Sequence, residues 1–198
     1  CIRLDSQPIE EHQFAELVEQ LWPAARRVSQ DTDLGFVTLF EFMTAMAFQC
    51  FAQEKVEFQT IEVGLGGRLD ATNVVDPAVC VITSVSLDHT AILGDSLDQI
   101  AFEKAGIIKP GSTVVTAPQE PKAATAIDEV CQRMSARSIH VGQDVTWELT
   151  VADAQGQEFS VHGRLGDYKL RTPLLGTHQL DNPNNLVAVL QLLQELFL

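Results

Sequence analysis

The sequence predicts an α/β fold, in which a mostly parallel sheet is flanked by helices and an antiparallel meander follows near the carboxyl-terminal end. Continuous apolar strands alternate with amphipathic helices between residues 60 and 141, which is typical of a parallel sheet covered on both faces. After residue 144 apolar and polar residues alternate, and this period of two predicts the meander over residues 145–172.

Two helices are predicted in the amino-terminal part. Apolar residues at helical spacing form one stripe of an amphipathic helix, namely Phe14, Leu17, Val18, Leu21 and Trp22. Residues 31–37 are polar and predict a loop. Residues 40–51 are apolar nearly all round, so we expect a helix that is covered on more than one side.

The next segments predict the parallel sheet and its helices. A short strand over residues 60–63 ends in a glycine-rich turn, and a continuous apolar strand follows over residues 78–85. A helix over residues 96–105 is expected to stop at Gly106. The remaining pattern predicts a strand over 113–117, a helix around 127–134 and a short strand over 139–141.

A last helix is expected after the meander. Asn182 suits its N-cap, and Pro183 suits its first position. We expect its buried face to be apolar and to consist of Leu186, Val189, Leu190, Leu193 and Phe197.

Composition and charge exclude some classes of partner. The 198 residues include 13 Lys and Arg against 27 Asp and Glu, so the formal charge is −14, which disfavours a nucleic-acid partner. No apolar run approaches the ~20 residues of a membrane helix, and we expect no membrane partner. The four cysteines fit no zinc or redox spacing, which favours reduced thiols in a cytoplasmic protein.

Glu62 is the first candidate for chemistry. It lies inside an apolar strand directly before the glycines of residues 64–67, where a buried carboxylate is costly unless it is paired or binds a cation. Ligands of open parallel sheets collect at the carboxyl ends of the strands, where Glu62 is expected. The structural alternative is that Glu62 caps the glycine turn or pairs with Arg68.

His89 and Lys104 are further candidates. Asp88 and His89 follow the second strand and would open onto the same crevice as Glu62 if the two strands are neighbours. A histidine at a strand end can equally be an ordinary loop residue. Lys104 precedes Gly106 on a predicted helix, where a solvated side chain is the structural alternative.

Known phosphate-binding motifs do not match the glycine turn. A G-x-G-x-x-G/A pattern that starts at Gly64 fails at Leu69, and no glycine of the chain is followed by lysine, as a Walker-type loop requires. The residues taken alone therefore indicate an incomplete crevice for an anion or a metal.

Four segments together resemble the folylpolyglutamate synthase/dihydrofolate synthase family, the folate branch of the Mur-type ATP-dependent amide ligases. The order and spacing agree over residues 36–117, and the block 62–73 is the most specific part. The segments are Thr38–Phe42, Glu62–Asn73, Leu87–Thr90 and Glu103–Ile107, and His178–Asn182 is similar to the family's segment after the meander.

The resemblance implies the central ATPase-type domain of a ligase that uses ATP to join L-glutamate to dihydropteroate or tetrahydrofolate. It implies that Mg²⁺ is held by Glu62, His89 and a carbamylated Lys104, which are also the catalytic residues. It implies nucleotide binding by Asn182 and a monomeric enzyme. The pterin-binding positions it implies are Thr38, Leu39, Phe40, Glu41, Leu69, Asp70 and Ala71.

The chain also departs from the family pattern. The family's glycine-rich phosphate loop normally precedes the point where this chain starts, and its carboxyl-terminal domain would follow the last residue. We therefore expect an incomplete central domain over residues 1–181 and a closing helix over residues 182–198, unable to turn over ATP alone. The alternatives are a non-catalytic homologue that binds a pterin or a metal, and another Mur-type ligase, which residues 69–73 disfavour.

Overall fold

The chain divides into two compact units. The computed structural model describes residues 2–31, 33, 35–175 and 181–197. We call the part up to Leu65, together with Asp70–Val74, the helical unit. We call Gly66–Leu69, together with the chain from Val75 onward, the sheet unit.

The helical unit contains a small hairpin and two long helices. Strands β1 (Arg3–Leu4) and β2 (Gln7–Pro8) pair antiparallel. Helix α1 (Glu11–Gln30) and helix α2 (Leu39–Glu54) follow, and a 3₁₀ turn (Ala71–Val74) packs against α2. The hairpin was not predicted, because two-residue strands are too short to show an alternating pattern.

The core of the helical unit lies between α1 and α2. Its buried members are Ile2, Leu17, Met46 and Cys50. Leu17 confirms the predicted stripe, but Trp22 is 53% exposed and meets Phe42 edge-on, with 5.7 Å between ring centroids. Helix α2 contacts both α1 and the 3₁₀ turn, but only Met46 and Cys50 of this helix are buried.

The sheet unit contains the predicted parallel sheet. Its order is β3 (Val79–Ile82), β4 (Thr113–Thr116) and β5 (Arg137–His140), with Val79 opposite Thr113 and Thr113 opposite Arg137. The connecting helices are α3 (Thr90–Leu93), α4 (Leu97–Ala105) and α5 (Pro121–Arg133). These strands and the helices α4 and α5 confirm the prediction, while the four-residue α3 was missed.

The predicted strand over residues 60–63 is wrong. These residues form no strand, and no described strand pairs with them. An apolar stretch becomes a strand only where its backbone N–H and C=O groups find a partner strand, which local sequence does not reveal.

The predicted meander is confirmed. Strands β6 (Thr146–Asp153), β7 (Gly156–Gly163) and β8 (Gly166–Thr172) pair antiparallel in chain order. The register shifts between Leu149 and Val151. The inward side chains Phe159 and Val161 of β7 are buried.

The last helix, α6 (Asp181–Phe197), forms as predicted but buries a different face. Leu186 and Leu190 are 57% and 55% exposed, so the predicted face is wrong at these two residues. Val189 packs against the core, and the side chain of Phe197 lies outside the described residues. The buried residues of the helix are Asn184, Asn185, Val187, Ala188, Gln191 and Leu192. The Val and Ala side chains let the helix approach β3, β4 and β7. Because Asn and Gln residues are also buried on this face, a search for apolar residues at helical spacing does not identify it.

The described cysteines behave as expected. Cys50, Cys80 and Cys131 are free and buried, while Cys1 lies outside the described residues. Burial raises the pKa of the Cys131 thiol to about 11, so this side chain is chemically inert at neutral pH. Among the described helices, none is both long and apolar enough to cross a membrane.

The corrected face of α6 predicts different effects for two leucines. Leu192→Ala removes a 3% exposed side chain and should lower the free energy of unfolding of the sheet unit by about 2–5 kcal/mol. Leu190→Ala, the matched control, should change it by less than about 0.5 kcal/mol. Urea unfolding followed by the fluorescence of Trp147, which packs on this core, measures both. Equal effects would contradict the assigned face.

Candidate functional site

A glycine loop at residues 64–70 is the central feature of the candidate site. Its ends, Gly64, Leu65 and Asp70, belong to the helical unit, whereas Gly66–Leu69 belong to the sheet unit. The loop begins two positions after Glu62 in the sequence.

Asp70 holds the part of the loop that lies in the helical unit. One carboxylate oxygen, Oδ2, accepts hydrogen bonds from the backbone N–H groups of Gly64 at 3.1 Å and Leu65 at 2.9 Å. The other, Oδ1, accepts from the Thr72 N–H at 2.9 Å and the Thr72 hydroxyl at 2.5 Å. Four donors use the acceptor positions of one carboxylate, so Asp70 is committed to shaping its own loop.

These hydrogen bonds determine the charge state of Asp70. Burial alone raises the pKa of its carboxyl, but the hydrogen bonds from Thr72, Leu65 and Gly64 outweigh burial, and the pKa lies below that of an ordinary aspartate. Asp70 is therefore ionised throughout the neutral range.

The start of α2 packs on the same loop. The ring of Phe40 lies against Gly64, where a Cβ atom would come within 2.9 Å of Cε1 of the ring. Thr38 is the N-cap of α2, because its hydroxyl accepts from the Glu41 N–H at 3.2 Å. The Glu41 carboxylate in turn accepts from the Thr38 N–H at 2.7 Å, which completes a capping box.

Most of the predicted pterin positions come together in the helical unit. Thr38, Leu39, Phe40 and Glu41 begin α2, which packs against the 3₁₀ turn that starts at Ala71. Leu39 is 78% exposed and Phe40 is 45% exposed, so apolar surface is available beside the loop. Leu69, 79% exposed, belongs to the sheet unit.

Glu62 has an exposed carboxylate that binds none of the described residues. The two structural roles considered for it are filled by other side chains. Asp70 binds the amides of the glycine turn, and the Arg68 guanidinium binds Glu103. A carboxylate without a structural partner retains all of its oxygen lone pairs for a ligand.

His89 holds an unusual backbone conformation at the start of α3. Its φ and ψ are 50° and 36°, in the left-handed region that costs a residue other than glycine free energy. Asp88 accepts the His89 N–H at 2.8 Å, and its other oxygen lies 3.7 Å from Nε2 of the ring. The imidazole is exposed and lies beside a carboxylate.

Lys104 lies in the last turn of α4 and is half-buried. The glycine loop contacts this turn directly, because the Arg68 N–H donates to the Glu103 carbonyl at 2.9 Å. Arg68 also binds the Glu103 carboxylate through Nε and Nη2. The structure therefore brings the loop and the Lys104 turn together within the sheet unit.

The residues present suit a magnesium ion in part. Glu62 offers the free carboxylate oxygens that Mg²⁺ prefers, whereas the His89 imidazole is a less usual ligand for this ion. Within the described part of the chain, no group of three or more His, Cys, Asp and Glu side chains is arranged to hold a metal. Lys104 could offer oxygen to such an ion only after modification, because an ammonium group repels a cation.

The predicted nucleotide contact falls on Asn182. Helix α6 begins at Asp181, so Asn182 lies in its first turn and not before it. The side chain of Asn182 lies outside the described residues.

Sequence reasoning missed the contribution of Arg68 and Glu103 to this site. A signal was present, since Gly67 precedes Arg68 and Gly106 follows Glu103 closely, and glycines in both segments permit close backbone approach. Nothing in the local pattern indicated that the two segments meet.

The parallel sheet, the meander and the glycine loop define a class of protein. The sequence matches the Mur ligase middle domain family over residues 32–192, and the chain belongs to this family.

Within that family the chain is similar to folate enzymes. It is 42% identical over 185 residues to the dihydrofolate synthase/folylpolyglutamate synthase of Bacillus subtilis, covering 91% of this chain and 42% of that protein. The Mycobacterium tuberculosis folylpolyglutamate synthase complexed with ADP superposes with a TM-score of 0.90 at 32% identity, over 98% of this chain and 44% of that one. An FPGS–AMPPCP–folate complex superposes with a TM-score of 0.88 at 33% sequence identity, over 96% of this chain and 47% of that one. The chain thus spans less than half the length of these relatives.

The bonding of Asp70 predicts an acid-sensitive helical unit. Because its folded-state pKa is lowered, the stability that Asp70 contributes is complete above the usual aspartate pKa of about 3.9 and is lost as pH falls through the lower folded value. Asp70→Asn should cost about 1–3 kcal/mol at pH 7 and flatten the pH dependence of stability below about pH 4.

Unfolding followed by the fluorescence of Trp22 in a Trp147→Phe background measures this effect. Asp5→Asn, which changes an exposed aspartate of the same unit, is the matched control and should change little. An Asp70→Asn protein with parental stability at both pH values would contradict the assigned role.

Proposed function

We propose that the chain forms the central part of an ATP-dependent ligase that joins L-glutamate to the carboxylate of dihydropteroate or tetrahydrofolate. The single observation that carries this proposal is the similarity to folylpolyglutamate synthases in both sequence and structure, with TM-scores of 0.88 to 0.90. The solved relatives were captured with ADP, and with AMPPCP and folate, which supports a nucleotide and a folate as ligands here.

The reaction has two steps in this proposal. The folate carboxylate takes the terminal phosphoryl group of ATP and becomes an acyl phosphate, while ADP leaves. The amine of glutamate then attacks the acyl carbon, and the new amide bond replaces the bond to phosphate, which departs with the proton balance completed by solvent. Holding the two substrates close together supplies much of the rate enhancement.

Glu62, His89 and Lys104 are the proposed magnesium-holding and catalytic residues. A magnesium ion at this position would neutralise charge on the transferring phosphoryl group. The Glu62 carboxylate binds no side chain or amide in the described part of the chain, and this supports its assignment as an oxygen ligand. Lys104 would contribute as a carbamate, formed when its neutral amine adds to CO₂ and releases a proton, because an ammonium group would repel the ion.

The pterin is proposed to bind beside α2 and the glycine loop. The half-exposed Phe40 ring offers an apolar face for stacking, and Leu39, Leu69 and Ala71 add apolar surface. Thr38 and Glu41 fix the start of α2 through their capping box, and Asp70 fixes the loop. We assign Asn182 to the nucleotide.

The remaining features of the proposal concern the protein as a whole. We propose a partial central domain over residues 1–181, a closing helix over residues 182–198 and a monomeric state. Three free, buried cysteines support a reducing compartment such as the cytoplasm.

The metal assignment predicts a specific loss of activity. In the protein as its gene encodes it, Glu62→Gln should lower Mg²⁺-dependent incorporation of labelled glutamate into dihydropteroate or tetrahydrofolate by about 100-fold or more. Glu57→Gln, a change of the same kind at a nearby exposed glutamate, should keep parental activity. Circular dichroism checks that both variants fold.

Two outcomes would count against the proposal. Activity of Glu62→Gln within a few-fold of the parent would remove Glu62 from the metal site. Calorimetric binding of dihydropteroate without nucleotide binding or glutamate incorporation by the parent would favour a non-catalytic pterin-binding protein instead.

The carbamate assignment predicts chemical rescue. Lys104→Ala should lose glutamate incorporation and regain part of it when a short carboxylic acid is added, because the free carboxylate can replace the carbamate oxygens. Lys122→Ala, at an exposed position of α5, should neither lose activity nor respond to the acid. Loss of activity without any rescue across the acid series would leave the carbamate unsupported.

A further inference from the structure

We propose that Arg68 is a positioning residue for Lys104, acting through Glu103 and the last turn of α4. The proposal rests on the function proposed for Lys104 and deepens it, because it assigns what holds that lysine in place. Every residue that carries it lies in the sheet unit.

The first contact is a two-pronged ion pair. The Arg68 Nε lies 3.1 Å from Oε1 and 3.2 Å from Oε2 of Glu103, and Nη2 lies 2.9 Å from Oε1. A planar guanidinium that binds both oxygens of a carboxylate fixes orientation as well as distance. Glu103, which directly precedes Lys104, is therefore held by its side chain.

The second contact joins the backbones of the loop and the helix. The last carbonyls of a helix have no partner within it, and Arg68 N–H fills one of these positions by donating to the Glu103 carbonyl at 2.9 Å. The Gly106 N–H also donates to this carbonyl, at 3.3 Å. Arg68 therefore binds Glu103 through its main chain and its side chain at once.

The third contact is steric. A Cβ atom on Gly67 would lie 2.7 Å from the carbonyl oxygen of Lys104 and 2.9 Å from that of Glu103. A Cβ atom on Gly106 would lie 2.5 Å from the Cα atom of Arg68. The loop and the last turn of α4 thus touch with no room for a side chain between them, so a movement of one displaces the other.

The exposure of the Arg68–Glu103 ion pair indicates that it positions the last turn of α4 and contributes little to the stability of the whole fold. The Arg68 and Glu103 side chains are 47% and 22% exposed, and ion pairs this close to solvent contribute little to global stability. Their loss should leave the fold intact while the turn that carries Lys104 gains freedom. Loss of the ion pair should therefore change the mobility of the last turn of α4 more than it changes the free energy of unfolding.

The test compares four variants of the purified chain. Arg68→Ala removes the guanidinium, and Arg68→Lys keeps the positive charge but cannot bind both carboxylate oxygens in the same way. The double change Arg68→Glu with Glu103→Arg exchanges the two partners of the ion pair. Arg26→Ala, at an exposed position of α1, is the matched control. Hydrogen exchange is measured at the amides of Gly106, Ile107 and Ile108, which close the end of α4.

Arg68→Ala should speed exchange at these amides by about 5-fold or more, with Arg68→Lys intermediate and the reversed pair near the parent. Arg26→Ala should change nothing there. Unchanged exchange in Arg68→Ala would overturn the proposal, and so would an equal acceleration throughout β3, β4 and β5, since that would be general destabilisation.

A second measurement reads Lys104 itself. In ¹³C-bicarbonate, the carbamate resonance that disappears in Lys104→Ala should weaken in Arg68→Ala and recover in the reversed pair. A resonance present in the parent and equally strong in Arg68→Ala would overturn the positioning role. A parent without any Lys104-dependent resonance would refute the carbamate in the proposed function, whereas the exchange measurement would still decide whether Arg68 holds the turn.

Discussion

The glycine loop needs partners for its backbone N–H groups, and the Asp70 carboxylate and the Glu103 carbonyl provide them. Glycines allow tight turns and close approach but supply no side chain that could hold the chain in one conformation. In the helical unit, the Asp70 carboxylate collects N–H groups at the beginning of the loop. In the sheet unit, Arg68 binds the end of α4 with both its N–H and its guanidinium. Each part of the loop is therefore held within its own unit, by Asp70 in the helical unit and through Arg68 in the sheet unit.

Each part of the loop has packing partners within its own unit, although the loop carries no complete phosphate-binding motif. Phe40, at the start of α2, packs on Gly64, and the turn bearing Lys104 packs on Gly67. Glu62, immediately upstream, is exposed, and its carboxylate binds none of the described residues.

Patterns with a clear physical period were read correctly from sequence. Helices α1, α4 and α5, the three parallel strands and the meander all follow from the periods of 3.6 and 2 or from continuous apolar runs. Features fixed by distant partners were not predictable in this way. No strand in the described ranges pairs with the stretch at residues 60–63. Helix α6 buries Asn184 and Gln191 while it exposes Leu186 and Leu190. The motif residues Arg68 and Glu103 were visible, but their ion pair requires a contact across 35 positions that no local pattern contains.

The interlocked glycines also constrain how this sequence can vary. A methyl group at Gly67 or at Gly106 would have to displace main-chain atoms, not a flexible side chain that could swing aside. Neither position can accept alanine without separating two backbone segments, and enlarging one cannot be offset by shrinking the other, because both already carry the smallest residue. Any larger residue at Gly67 or Gly106 therefore requires a change of main-chain conformation. A designed variant of this loop would have to keep both glycines.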